Sequence, residues 1–121
     1  MRDAALYLKD ILAAIDSIQT FVAGMTFTEF QADDKTVSAV IRKFEIIGEA
    51  AKFVPESIRV QYPTVPWKEM AGMRDRLIHF YFGVDMLIVW RTIHEHLPTL
   101  RAVLEHIVAG LDIQATLVKQ Q

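Results

Sequence analysis

From Met86 onward, one pattern constrains the chain more than any other. Trp90, Ile93, Leu97, Leu100, Leu104, Ile107 and Leu111 recur at alternating spacings of three and four. That is one face of an α-helix, which turns once every 3.6 residues. The phase survives Pro98. Two helices joined by a loop have no reason to stay in phase, so the pattern predicts one long helix kinked near the proline, with a break there as second choice. Such a seam serves equally as an intramolecular core face or as part of a dimer interface.

The same period recurs upstream. Leu8, Ile11, Leu12, Ile15, Ile18 and Val22 make the stripe of a first helix from about Asp3 to Ala23, ended by Gly24. Thr26 or Thr28 is placed to cap a short turn at "TEF". Asp33 or Asp34 can cap a second helix whose buried stripe is Val37, Val40, Ile41, Phe44, Ile47 and Ala51. Gly48 lies inside that helix, where glycine costs about 1 kcal/mol against alanine, so close approach of another helix is expected there. The second helix should stop before Pro55. "PESIRVQYPTVPW" then reads as a short helical turn and an extended connection. A third helix starts at Trp67 or Lys68 and reaches about Phe82, Gly83 breaks it, and Asp85 caps the next. No clean period-two alternation and no NG or DG hairpin dipeptide occurs. The expectation is an all-α, up-down bundle of about four or five helices.

With 121 residues, 52% of them hydrophobic, the chain suits a single domain over residues 1–121, with about 112–121 expected to fray. The net charge of −2 argues against a uniformly basic nucleic-acid binder; any RNA contact must come from a local basic patch and weaken with salt. No cysteine is present, which excludes disulfides, thiolate chemistry and cysteine-bound metal, and fits a reducing cytoplasm. Charges at positions 2, 3, 9 and 10 interrupt any signal-peptide core, and no stretch approaches the roughly 18 apolar residues of a membrane span.

The third helix carries the candidate chemistry, in "RDRLIHFYF" at 74–82. On a wheel of about 100° per residue, Met73, Leu77 and Phe80 share the buried side and His79 lands nearly opposite. Asp75 lies about 40° from His79, one turn earlier, where a carboxylate can hold the ring and stabilise the imidazolium. Arg74 and Tyr81 are seven apart and share a stripe at the edge of the apolar face. Arg74 and His79 fall about 140° apart, so one ideal helix does not aim both at one small group. A second copy of the chain, or a distortion near Gly83, would bring them together. An arginine with a histidine suits RNA cleavage without metal: imidazole moves the proton, and guanidinium binds the phosphate oxygens. Taken alone, this spacing also describes a solvated polar face.

The wider sequence resembles the HepT-like branch of the HEPN superfamily. "RDRLIHFYFGVD" is similar to its motif of Arg, four residues, His, any residue, Tyr. Flanking likeness lies in "VIRKFEIIGEAAKFVP" at 40–55, "YPTVPWKEMAGMRDRLIH" at 62–79 and "VWRTIHEHLPTL" at 89–100. The Ile-Gly-Glu-Ala and Pro-Trp pieces are more diagnostic than the arginine–histidine spacing. The resemblance implies a HEPN-like fold and a small toxin of a type VII-like toxin–antitoxin pair. It implies a homodimer whose two motifs meet in a cleft, and metal-independent endoribonuclease activity with no cofactor. It further implies catalytic roles for Arg74 and His79, with Asp75 supporting, and Tyr81 as the position that a cognate minimal nucleotidyltransferase antitoxin modifies with AMP. Glu49 becomes a possible wall of the cleft. A different class of function stays open: a non-catalytic helical module that only docks a nucleotidyltransferase.

Other residues read more plainly. Arg42 and Glu49 suit a solvated or paired face, and Lys68 and Arg76 suit ordinary surface charge, with RNA backbone contact as the alternative. His94 and His96 in "HEH" fall about 200° apart on a helix and lack the zinc spacing HExxH. Trp67 and Trp90 read as core or dimer packing.

Overall fold

The computed structural model describes residues 2–73, Asp75 and 85–120. Helix α1 spans Ala4–Val22, α2 Phe27–Ala32, α3 Asp34–Lys52, α4 Glu56–Gln61 and α5 Trp67–Ala71. Helix α6 spans Met86–Arg91, a π-helical turn follows over Thr92–His96, and α7 spans Leu97–Gln120. No strand occurs among the described residues, so the fold is all-α.

Short polar side chains mark the helix starts. The Asp3 carboxylate accepts from the Ala5 N–H, and Asp85 accepts from Leu87. Of the two threonines considered, Thr26 is the cap: it accepts from Glu29 N–H while the Glu29 side chain accepts from Thr26 N–H. Of the two aspartates, Asp33 is the cap and Asp34 lies in the first turn. The Thr36 backbone N–H, and then its hydroxyl, hold the Asp33 carboxyl below the usual range. At the exit of α1, Gly24 adopts φ 76°, a left-handed conformation that a side chain would strain.

Helix α1 packs along α3 and α7. Leu8, Ile11, Ile15, Ile18 and Val22 are buried, with Leu12 half-buried at the edge. From α3, Val37, Val40, Ile41, Phe44, Ile47 and Ala51 complete the layer, and Gly48 is also buried. Two ion pairs show that α1 and α7 run antiparallel: Arg101 with Asp16 at 2.6 Å, and Lys9 with Asp112 at 3.6 Å. Numbers fall along α7 as they rise along α1. Connecting residues also enter the core. Val65 is buried beside Trp67, whose indole N–H donates to Tyr62 O at 3.0 Å.

The seam from Trp90 to Leu111 is intramolecular. Ile93, Leu97, Leu104 and Ile107 belong to the core of the same chain, and Trp90, Leu100 and Leu111 pack against it. Trp90 lies 5.2 Å from Phe30 and 6.1 Å from Phe27, tying α6 to α2. The helix does not break at Pro98. Backbone dihedrals stay helical at Arg91, Thr92 and Leu97, and the Leu97 N–H bonds Thr92 O, five residues back. A proline ring crowds the carbonyl four residues earlier, here His94, and a π turn is one way to open a helix at that point. Helix α7 is helical to Gln120, across the segment expected to fray. Ile113, Leu117 and Val118 are exposed there.

One expected boundary is corrected. The helix anticipated from Trp67 to Phe82 closes at Ala71, and Gly72 forms a turn. Gly72 has ψ −2°, with its N–H directed at both Lys68 O and Met70 O. Glycine is the weakest helix former after proline, and it takes the interruption. Helical backbone resumes at Met73 and Asp75. The rest of that stretch, with the break expected at Gly83, lies outside the described residues.

Candidate functional site

Of the candidate site residues, Arg74, His79 and Tyr81 lie outside the described residues, as do Arg76, Leu77 and Phe80. Their frame is described on both sides. On the N-terminal side, α5 is anchored by Trp67, 6% exposed, and Met70, 2% exposed, and Met73 packs against the core. On the C-terminal side, Asp85 caps α6, and Val89 enters the core. Asp75 is helical and exposed. That exposure agrees with a wheel position opposite Met73, which packs against the core.

Glu49 lies on α3, half-buried, with its carboxylate 3.8 Å from Lys52 Nζ. Arg42 pairs with Glu45 at 3.2 Å rather than with Glu49. Lys68 is exposed. Neither His94 nor His96 is buried, and the His94 ring lies 4.2 Å from the Trp90 ring, a surface aromatic contact.

A groove of about 640 Å³ opens between the connection into α5 and the π turn and start of α7. Val65, Met70, Met73, Leu97, Leu100 and Val103 give it an apolar floor. Glu69, Glu95 and His96 stand among its polar residues, with no Lys or Arg among the described lining residues.

A feature that the sequence reading missed stands at the end of α3. The Phe53 ring stacks on the Tyr7 ring, centroids 5.4 Å apart and planes 18° from parallel. The Arg2 guanidinium carbon lies 4.8 Å from the Tyr7 centroid. Phe53 is 59% exposed. The available signal was an aromatic residue between Lys52 and "VP", where the helical phase ends.

An all-α fold with this frame around the Arg-x-x-x-x-His-x-Tyr segment defines the class as a HEPN-type helical ribonuclease. The family model described as "Ribonuclease HepT-like" matches residues 11–107, which include the whole motif and its described flanks. A protein named "Probable ribonuclease HepT" from Thermococcus cleftensis is 48% identical over 99 residues, 82% of this chain and 90% of its own. A "Putative RNase" of Methanocaldococcus jannaschii is 46% identical over 111 residues, 92% of this chain and 96% of its own. Another from the same organism, named "Gamma-glutamylcyclotransferase and putative RNase", is 40% identical over 92% of this chain and 50% of its own length. No solved structure matches the chain significantly. The chain belongs to the HepT-like ribonuclease family, and its class of activity is that of an endoribonuclease.

Proposed function

We propose that this ribonuclease works as a homodimer without metal, with Arg74 and His79 as its catalytic pair and Tyr81 as its off-switch. The observation that carries the reading is the family match over residues 11–107, with the Arg-x-x-x-x-His-x-Tyr segment intact inside it. The about 140° between Arg74 and His79 on an ideal helix supports a shared cleft, because two copies supply both groups where one helix does not. His79 takes the proton from the ribose 2′-hydroxyl beside the scissile phosphate, and the oxygen so formed attacks phosphorus. The bond to the 5′-oxygen breaks, and that oxygen leaves with a proton from imidazolium or water. The products are a cyclic phosphate and a 5′-hydroxyl. Arg74 holds the phosphate oxygens as charge builds on them. Exposed Asp75 orients and charges the imidazole, and Glu49 walls the cleft. DNA lacks the attacking hydroxyl and is not cut.

In this reading the protein is the cytoplasmic toxin of a toxin–antitoxin pair, and a minimal nucleotidyltransferase is its antitoxin. AMP on the Tyr81 hydroxyl brings negative charge and bulk beside Arg74, competing with the RNA phosphate. The test is cleavage of single-stranded RNA by the purified chain in EDTA. His79→Ala should lose about 100- to 10,000-fold and Arg74→Ala about 100- to 1,000-fold. Equal cleavage by all three proteins points to a contaminant and refutes the assignment. Incubation with the partner and ATP should add AMP by intact mass to wild type and none to Tyr81→Phe. Equal modification of the phenylalanine variant removes Tyr81 from the scheme.

A further inference from the structure

The end of α3 turns Phe53 outward for a local reason. Phe53 is the C-cap, with φ −98° and ψ 0°, and its N–H closes onto Ala50 O and Ala51 O. Val54 then points inward at 1% exposure, and Pro55 starts the next element. With Val54 filling the core and the proline unable to continue α3, the Phe53 ring is left outside. It is not left loose, because one flank lies against Tyr7, itself packed on the core. The result is a braced aromatic surface, 59% exposed, rather than a single stray ring.

Two ion pairs surround it. Arg2 lies over Tyr7 and pairs with Asp10 at 2.8 Å, both side chains being about half exposed to water. Lys52 is the neighbour of Phe53, half exposed, and its Nζ lies 3.8 Å from the Glu49 carboxylate. Glu49 precedes Phe53 by four residues, so the two stand about 40° apart on one side of α3, one turn from each other. The platform is thus one helical turn from the residue assigned to the wall of the catalytic cleft.

We propose that the Tyr7–Phe53 stack is a base-binding platform for single-stranded RNA, seating an unpaired base on the open side of Phe53, one helical turn from Glu49. Lys52, beside Phe53 in sequence, can leave Glu49 to meet the sugar–phosphate of the same nucleotide. A base offers a flat π face to such a ring whatever its identity, so the platform anchors the strand without reading sequence. Bases inside a duplex are already stacked and cannot use it. The choice of RNA as ligand rests on the ribonuclease reading above.

The experiment measures binding without cleavage. The probe is a fluorescein-labelled, 2′-O-methylated oligoadenylate of about ten nucleotides, which cannot be cut because the attacking hydroxyl is blocked. Anisotropy titration of the full chain should give a Kd that rises about tenfold in Phe53→Ala. Phe53→Trp should bind at least as tightly as wild type. An unlabelled single strand should compete and a duplex of equal length should not. Circular dichroism checks that both variants are folded. Unchanged affinity in folded Phe53→Ala overturns the proposal, as does equal competition by duplex. So does a change in light-scattering mass without a change in Kd, which would make this face a protein contact. The two readings fail separately: Phe53-dependent binding by a chain that cuts no RNA removes the catalytic reading alone, and cleavage with Phe53-independent binding removes the platform alone.

Discussion

Phe44 and Phe53 are the same residue type nine positions apart in or at the end of the same helix, yet their fates are opposite. Phe44, in the middle of α3, is 2% exposed, and Phe53, at its C-cap, is 59% exposed. Nine residues turn an ideal helix by about 180°, so the two rings leave α3 on opposite sides. Periodicity assigned Phe44 to the core because Val40, Ile41 and Ile47 share its stripe and α1 covers them. Phe53 has no such stripe around it, and what it meets is one side of Tyr7. The comparison separates two uses of aromatic surface: inside, it supplies stability, and outside, braced by a neighbour, it is available to a ligand.

Truncation should expose that contrast most strongly. Phe44→Ala should lower unfolding free energy by about 3–5 kcal/mol in a denaturant titration, through lost burial and the cavity left behind. A loss under about 1 kcal/mol would mean that the α1–α3 layer collapses around the gap, and the contrast with Phe53 would fail. Phe53→Ala gives up an exposed ring stack and should cost about 0.5–1.5 kcal/mol in the same titration. If it cost as much as Phe44→Ala, the platform would be part of the core.

The tail of α7 supplies a third kind of apolar residue, exposed and with no ring braced against it among the described residues. Replacing exposed Ile113 and Leu117 by serine should change stability by less than about 0.5 kcal/mol per site. A larger loss, measured at low protein concentration, would mean that the tail has a partner in solution.

The smallest effect is a pH dependence at the start of α3. The folded state holds the Asp33 carboxyl below its ordinary value of 3.8, chiefly through the Thr36 backbone N–H. A lowered pKa means that the charged form is favoured on folding, so its contribution is present above about 3.8 and fades as pH falls through the lowered value. The difference in melting temperature between wild type and Asp33→Ala should therefore shrink on acidification across that range. A difference that stays constant to pH 2 would show that packing, rather than the charge, accounts for the cap.

The same split decides what was legible beforehand. Caps are written in single residues: Asp85 caps where expected, and Thr26 and Asp33 are each one of the two residues the sequence offered. The candidate catalytic segment was legible as a motif, since spacing and flanks are properties of the chain itself. The interruption at Gly72 was not, because a glycine inside an apolar period can continue a helix or turn it. The π turn before Pro98 was anticipated only as a kink near the proline, with a break as second choice.

Sequence alone determined that this chain is helical, which stripe of each long helix faces inward, and which family it belongs to. Those follow from interactions within one or two turns and from patterns retained along the chain. The tertiary structure alone decided that the Trp90–Leu111 seam closes on its own core, and that Tyr7 braces Phe53. Both depend on residues far apart in sequence meeting in space, and no local period encodes where a helix end will find its neighbour.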